Sequence, residues 1–276
     1  MTDRLDNTCF PAWLHDAPGA SAACEMRAFG SAREDLAVKF RMAPRVELTT
    51  ELLTLSLRGA DNAPIGRKFV MEMPVGLRME LLIRLATLSD RRPFCWRLRC
   101  SSPECGRESE FELTADEIVS QGNELRGLPT LQTQIGGEPA LLRRPTGADQ
   151  AQWIAQPLVH ESELMMRAVL VRPSLDDLLA RGESLESIAA AIDEAMDKFD
   201  PLPGFHVSGV CPYCGKSSDV PLDVTGAALE RLYRGQQALI EDVHRLALRY
   251  HWSEEQILEL PEWRRQSYLD LIAETA

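Results

Sequence analysis

Two short cysteine pairs are the residues of this chain best suited to chemistry. CSSPECGR carries Cys100 and Cys105, and CPYCGK carries Cys211 and Cys214. Each pair ends in Cys-Gly followed by a basic residue. Zinc takes four ligands in a tetrahedron, and two such pairs fill it. Gly106 and Gly215 can take the positive φ of a sharp turn behind the second cysteine, because no Cβ obstructs it. Arg107 and Lys216 lie close enough to offset the negative charge of four thiolates. The long stretch between Cys105 and Cys211 means that the site is split, so two distant hairpins must meet on one structural Zn2+.

The same residues have rival uses. CPYC resembles the active-site tetrapeptide of glutaredoxins, in which the first cysteine opens a helix and has a depressed pKa. Here GKSSDVPLDV follows, and its alternation suits a strand leaving a turn. Unbound buried thiols are a third reading. A catalytic zinc is disfavoured, because it keeps a position open for water and four thiolates close it. His206, five residues before Cys211, is an alternative ligand that four thiols make unnecessary. It reads better as a solvent-facing strand residue. Cys95, in FCWRLRC, reads as a small buried apolar residue. Cys9 and Cys24 are spare ligand candidates, a reading that the two complete pairs disfavour.

The elements that must position the pairs follow from periodicity. FCWRLRC alternates into the first pair and RESEFEL leaves it, so 94–113 reads as a hairpin carrying Cys100 and Cys105 at its turn. FHVSGV and SSDVPLDV make the matching hairpin around Cys211 and Cys214. Residues 1–43, rich in Ala, Gly and Pro, read as a poorly ordered N-terminal tail with a short helix near SAREDLAVKF. Within 44–114, RVELTTELLTLSLR (45–58) and KFVMEM (68–73) read as strands. VGLRMELLIRLATLSD reads as a helix with Leu77, Leu81, Leu85 and Leu88 on one stripe.

Residues 115–205 read as a mostly helical insert. ADEIVSQG gives a short helical turn, and LQTQI and ALLRRP give short strands. Thr146 caps a helix, ESELMMRAVLV runs to Pro173, and Ser184 caps SLESIAAAIDEAMDKFD. Met165, Met166 and Met196 are either an adaptable binding stripe or core filling, and core filling is favoured. After the second hairpin (206–224) comes a C-terminal helical arm, 225–276. Thr225 caps a helix over 226–250. Ser253 and Gln256 form a capping box, and Trp252 staples to Ile257. Pro261 opens a last helix, with Trp263, Leu269 and Ile272 inward and Arg264 and Arg265 outward. The fold class is therefore α+β, with split zinc-ribbon hairpins joining a helical insert and a C-terminal helical arm.

The totals narrow the function. The net charge of −12 argues against duplex DNA, whose phosphates need a basic face. No signal-peptide pattern opens the chain, and no apolar run is long enough for a membrane helix, which leads to the expectation of a cytoplasmic protein with reduced thiols. HExxH, GxSxG, GxxxxGK[ST] and GxGxxG are all missing, so an enzyme reading has no positive argument and a binding or assembly protein is favoured.

A hairpin of the form RC…CG, a helical insert, a CPxCG knuckle and the block DVHRLALRYHWSEEQILELPEWRRQSYLDLI together resemble a family of contractile-tail proteins. These are the T-even-type phage baseplate hub assembly chaperones and their relatives in phage-like injection clusters. PTGADQ (145–150) adds to the likeness, which covers about 65–275. Many members lack some of the cysteines, and the first pair here has four intervening residues instead of two. The resemblance implies a non-enzymatic factor in the bacterial host cytoplasm that holds a baseplate hub or spike protein until the next subunit replaces it. The expected contact surface is the C-terminal unit, with Trp252, Trp263 and Tyr268 as aromatic anchors. An equal alternative is that these three only pack the last helices together. A structural baseplate subunit, a zinc-ribbon nucleic-acid adaptor and a thiol oxidoreductase are the competing functions.

Overall fold

The computed structural model describes residues 2–5, 24–30, 32–59, 62–120, 125–156 and 161–274. Its first part contains β1 (Thr2–Leu5), β2 (Cys24–Arg27), α1 (Arg33–Leu36), α2 (Arg45–Ser56), β3 (Leu57–Gly59), α3 (Arg67–Glu72) and α4 (Val75–Leu88). The three strands form one antiparallel sheet in the order β1-β2-β3.

Three expectations fail in this region. The described residues 24–30 and 32–43 do not behave as a poorly ordered tail: Met26, Phe29 and Val38 are buried in the main core. The fully buried carboxylate of Asp35 accepts both terminal nitrogens of Arg27, at 2.7 and 2.8 Å, and the N–H groups of Gly30 and Ala32. Residues 6–23, including Cys9, lie outside the described residues, as does the Cys24 side chain. The supposed strand at 45–58 is largely α2. Its threonines look β-forming, but Thr50 and Thr54 return their hydroxyls to the carbonyls of Val46 and Thr50, both at 2.7 Å. Burial of Val46, Leu48, Leu52 and Leu53 then decides for helix. KFVMEM likewise belongs to α3, where Phe69 and Val70 are both buried, as neighbours on one strand face cannot be.

The chain continues through β4 (Phe94–Arg99) and β5 (Glu108–Leu113), paired as expected, to α5 (Ala115–Val119). The insert then adds β6 (Thr130–Ile135), β7 (Glu138–Arg143), α6 (Gly147–Ala155), α7 (Glu161–Val169), β8 (Leu170–Arg172), α8 (Leu175–Ala180) and α9 (Leu185–Phe199). A three-stranded sheet, β6-β7-β8, packs with α7, α8 and α9 around Ile135, Leu142, Leu178 and Ile188. The insert therefore has its own core, built from these helices and this sheet. Met166 fills that core and Met196 packs against it, whereas Met165 stays exposed, so the methionines are mainly filling.

Polar groups order the junction of the first part and the insert, and Asp200 bonds across it. Arg78 on α4 is 2 % exposed. It donates to the carbonyls of Val70 (2.7 Å) and Val46 (2.9 Å) and to the Thr50 hydroxyl (2.8 Å). Burial lowers its pKa to about 10, which leaves it charged at neutral pH. Gly147, at the start of α6, lies against this guanidinium, and a Cβ there would overlap it. Asp200, the C-cap residue of α9, accepts the Gly76 N–H at 3.2 Å near the start of α4. Beside it, Arg144 stacks 3.7 Å over the Phe199 ring and donates to the Phe199 carbonyl.

The last part contains β9 (His206–Val210), β10 (Ser217–Pro221), α10 (Val224–Tyr250), α11 (Glu254–Glu259) and α12 (Glu262–Glu274). Asp223, not Thr225, caps α10, accepting the Gly226 N–H at 2.8 Å. The expected boundary at 225 does not separate an independent arm. Ala228, Leu229 and Leu232 of α10 belong to the main core, and only its far end joins a small core of Leu246, Ile257 and Leu269. The Ser253–Gln256 capping box forms as expected. On α12 the expected faces are exchanged at two positions: Trp263 is 71 % exposed and Arg265 is buried. Among the described residues no helix is long and apolar enough to cross a membrane.

Candidate metal centre

Each cysteine pair sits on the turn of its own two-stranded hairpin. In the first, β4 and β5 pair as far as Arg99 opposite Glu108, and the Cys100 N–H then donates to the Arg107 carbonyl at 2.9 Å. In the second, β9 and β10 pair as far as Val210 opposite Ser217, and the Cys211 N–H donates to the Lys216 carbonyl at 2.9 Å. The basic residue after each Cys-Gly thus closes the knuckle through its main chain. Gly106 has φ +56° and Gly215 φ +71°, the left-handed conformation expected behind the second cysteine.

The different spacings are absorbed in one place. The Gly215 N–H turns back onto the Cys211 carbonyl, whereas the N–H groups of Cys105 and Gly106 both turn back onto Ser102. Ser102 therefore takes the acceptor place that the first cysteine holds in the shorter knuckle. The two extra residues are spent before that turn, which leaves Cys105 free to face the second pair.

The fold brings all four sulfurs within 4.8 Å of one another. The Cys100 and Cys214 sulfurs are 3.7 Å apart, and those of Cys105 and Cys211 are 3.9 Å apart. A disulfide would need about 2.05 Å. A tetrahedron with metal–sulfur bonds of about 2.3 Å has edges of about 3.8 Å, which these separations match. The cluster can therefore hold a metal ion with four thiolates and no position left open. The N–H groups of Tyr213 and Cys214 pull the Cys211 thiol down to about 7. The N–H of Ser102 acts on Cys100 in the same sense. There, burial and the neighbouring sulfurs of Cys214, Cys211 and Cys105 outweigh it and push the thiol up to about 11.

Side chains also cross between the knuckles. Lys216 donates to the Ser102 hydroxyl at 3.0 Å and lies 3.9 Å from Glu104. The Arg107 guanidinium sits 5.0 Å over the Tyr213 ring. Sequence reasoning placed Arg107 and Lys216 near the thiolates but missed Ser102 and Tyr213 as their partners. The four-residue spacing of the first pair was the signal for Ser102. Below the knuckles, Trp96 stacks on Phe111 at 5.7 Å, and both pack against the main core.

The other candidates separate. His206 is exposed, hydrogen-bonded to the Gly204 carbonyl and 3.8 Å from Asp219, and is not part of the thiol cluster. Cys95 is exposed rather than buried, because it falls on the outer face of β4 opposite Glu112. Trp252 and Tyr268 pack together, with ring centroids 4.9 Å apart, and Tyr250 stacks on Trp252 at 4.7 Å. These two aromatics hold the last helices together, and Trp263 alone of the three candidates stands in solvent. No protein-family model, curated protein or solved structure matches this chain.

Proposed function

We propose that this chain is a non-enzymatic, zinc-stapled assembly factor. On this reading it binds a hub or spike subunit while a contractile phage tail or phage-like injection system is built. The observation that carries the non-catalytic part is the closure of the four-thiol cluster. Tetrahedral sulfur sites suit zinc or iron–sulfur centres, and a site whose four positions are all protein thiolates has none left for substrate or water. Zinc there staples the hairpins that frame the insert.

The client part rests on the resemblance of the C-terminal block, which corresponds to the end of α10, α11 and α12. Tyr250, Trp252 and Tyr268 stiffen this unit from within. Trp263, Leu248 and Leu271 are left exposed on it, and apolar side chains of this kind suit the transient cover of a subunit surface. The nucleic-acid adaptor gains little support, because the ribbon cations are engaged elsewhere. Arg97 pairs with Glu110 at 2.6 Å, Lys216 bonds Ser102, and Arg107 stacks on Tyr213.

Two measurements test the reading. Elemental analysis of the purified chain should find one zinc per molecule. A pull-down of the tagged protein from cells expressing its gene cluster should enrich a tail hub or spike subunit. Recovery of ribosomal or nucleic-acid partners, or of no tail protein, would overturn the assembly reading. Presence of the chain in finished particles would favour a retained baseplate subunit instead.

A further inference from the structure

The four cysteines differ in exposure. Cys214 is exposed, Cys100 and Cys105 are half-buried, and Cys211 is buried. Across the knuckles, the Cys100 and Cys214 sulfurs lie 3.7 Å apart and those of Cys105 and Cys211 3.9 Å apart. We infer that the cluster is also an oxidative modification site, in which Cys214 is oxidised first by a hydroperoxide and Cys100 then closes a disulfide across the knuckles. This inference rests on the metal-site reading of the same four cysteines.

A metal-bound cysteine is held as thiolate, the nucleophilic form. The Cys214 sulfur attacks the peroxide: an S–O bond forms, the O–O bond breaks, and the leaving oxygen takes a proton from water. Cys214 is then a sulfenic acid, the reversible first stage of thiol oxidation. The Cys100 thiolate attacks the Cys214 sulfur, so that an S–S bond forms, the S–O bond breaks, and the departing hydroxide takes a second proton. Two sulfurs have given two electrons to one peroxide, which ends as water together with a second water or an alcohol. Of the four donors, Cys105 and Cys211 alone would remain to hold a metal, two short of the set that closes the site. The two hairpins share no strand ladder, so the new bond would tie them covalently, beside the Lys216–Ser102 and Arg107–Tyr213 contacts.

The sequence supplies a direct test. Trypsin leaves Cys100 and Cys105 together in peptide 100–107, and Cys211 and Cys214 together in peptide 199–216. The zinc-loaded full chain is treated with one equivalent of hydrogen peroxide, released zinc is followed with a chromogenic chelator, and the protein is digested without reduction. The expected result is one zinc released per disulfide, with the two peptides joined. Cleavage after Glu104 and after Tyr213 then assigns the bond to Cys100–Cys214. A disulfide inside either peptide, or sulfinic acid on Cys214 without a cross-link, overturns the proposal. Cys95→Ser removes the thiol that, among the described residues, is exposed outside the cluster, and should leave both readouts unchanged. A chain that takes up no zinc would defeat the metal reading, while the same digest of the metal-free protein still decides the pairing.

Discussion

The main body and the twin hairpins are held by different physics. In the body, Leu52, Leu53, Leu81 and Leu82 are fully buried, and α10 runs from this core into the C-terminal unit. Such burial stabilises by roughly 25 cal/mol per Å² of apolar surface removed from water. In the hairpins, β4, β5, β9 and β10 mostly alternate between exposed and half-buried residues, and Val210 and Tyr213 near the tip are exposed. Two-stranded hairpins of this kind are marginal alone. Their meeting point is fixed by four thiols and a few polar contacts, so its strength depends on a ligand, whereas that of the body does not.

The largest effect should come from taking the ligand away. Structural zinc sites carry about 10–16 kcal/mol of apparent binding free energy. Chelation or Cys211→Ser should therefore abolish zinc binding and remove hydrogen-exchange protection from β4, β5, β9 and β10, while α4 and the first half of α10 remain protected. Equal loss in both regions would show that the comparison is false. Leu82→Ala should do the reverse. About 2–5 kcal/mol of global stability should be lost in denaturant titration, with the zinc content unchanged.

Asp200 gives a pH signature of the body. Burial raises its carboxyl pKa to about 6, while Arg144 and the Gly76 N–H pull it down. The folded state then holds the proton more tightly than the unfolded chain does. Stability should therefore fall as pH rises from about 4 to 6 and level off above that. Asp200→Asn should flatten this slope and be the more stable form at pH 7, by at most about 3 kcal/mol. An unchanged slope in melts from pH 4 to 7 would remove Asp200 from the account. Gly147→Ala should cost about 1–3 kcal/mol by pushing a methyl group into Arg78, again without zinc loss. Trp263→Ala should change stability by less than about 0.5 kcal/mol, because the ring is solvated, and yet weaken capture of the hub or spike subunit in the pull-down.

The legible parts of the molecule are those with local causes. Thr146, Ser184 and Ser253 cap helices because a hydroxyl meets an N–H three residues on, a contact that needs no tertiary partner. The β4–β5 and β9–β10 hairpins were visible in their alternation and the Cys-Gly turns in their glycines. The four ligand candidates were visible in residue type and spacing. What escaped were residues whose state depends on remote neighbours. Thr50 sits in a helix because seven of the twelve residues of α2 are buried against remote elements, which no threonine count reports. By composition the stretch 1–43 looks like a loose tail, but Asp35 and Met26 within it are locked by Arg27 and the main core.

The sequence by itself determined the hairpin turns, the caps and the identity of the four thiols, because each depends on interactions within a few residues. Only the tertiary structure decided that 3.7–3.9 Å separates thiols from opposite ends of the insert. It also decided that Trp263 faces water while Arg265 is buried. Sulfur–sulfur separation and burial depend on how remote elements pack, and residue spacing along one strand or helix cannot fix either.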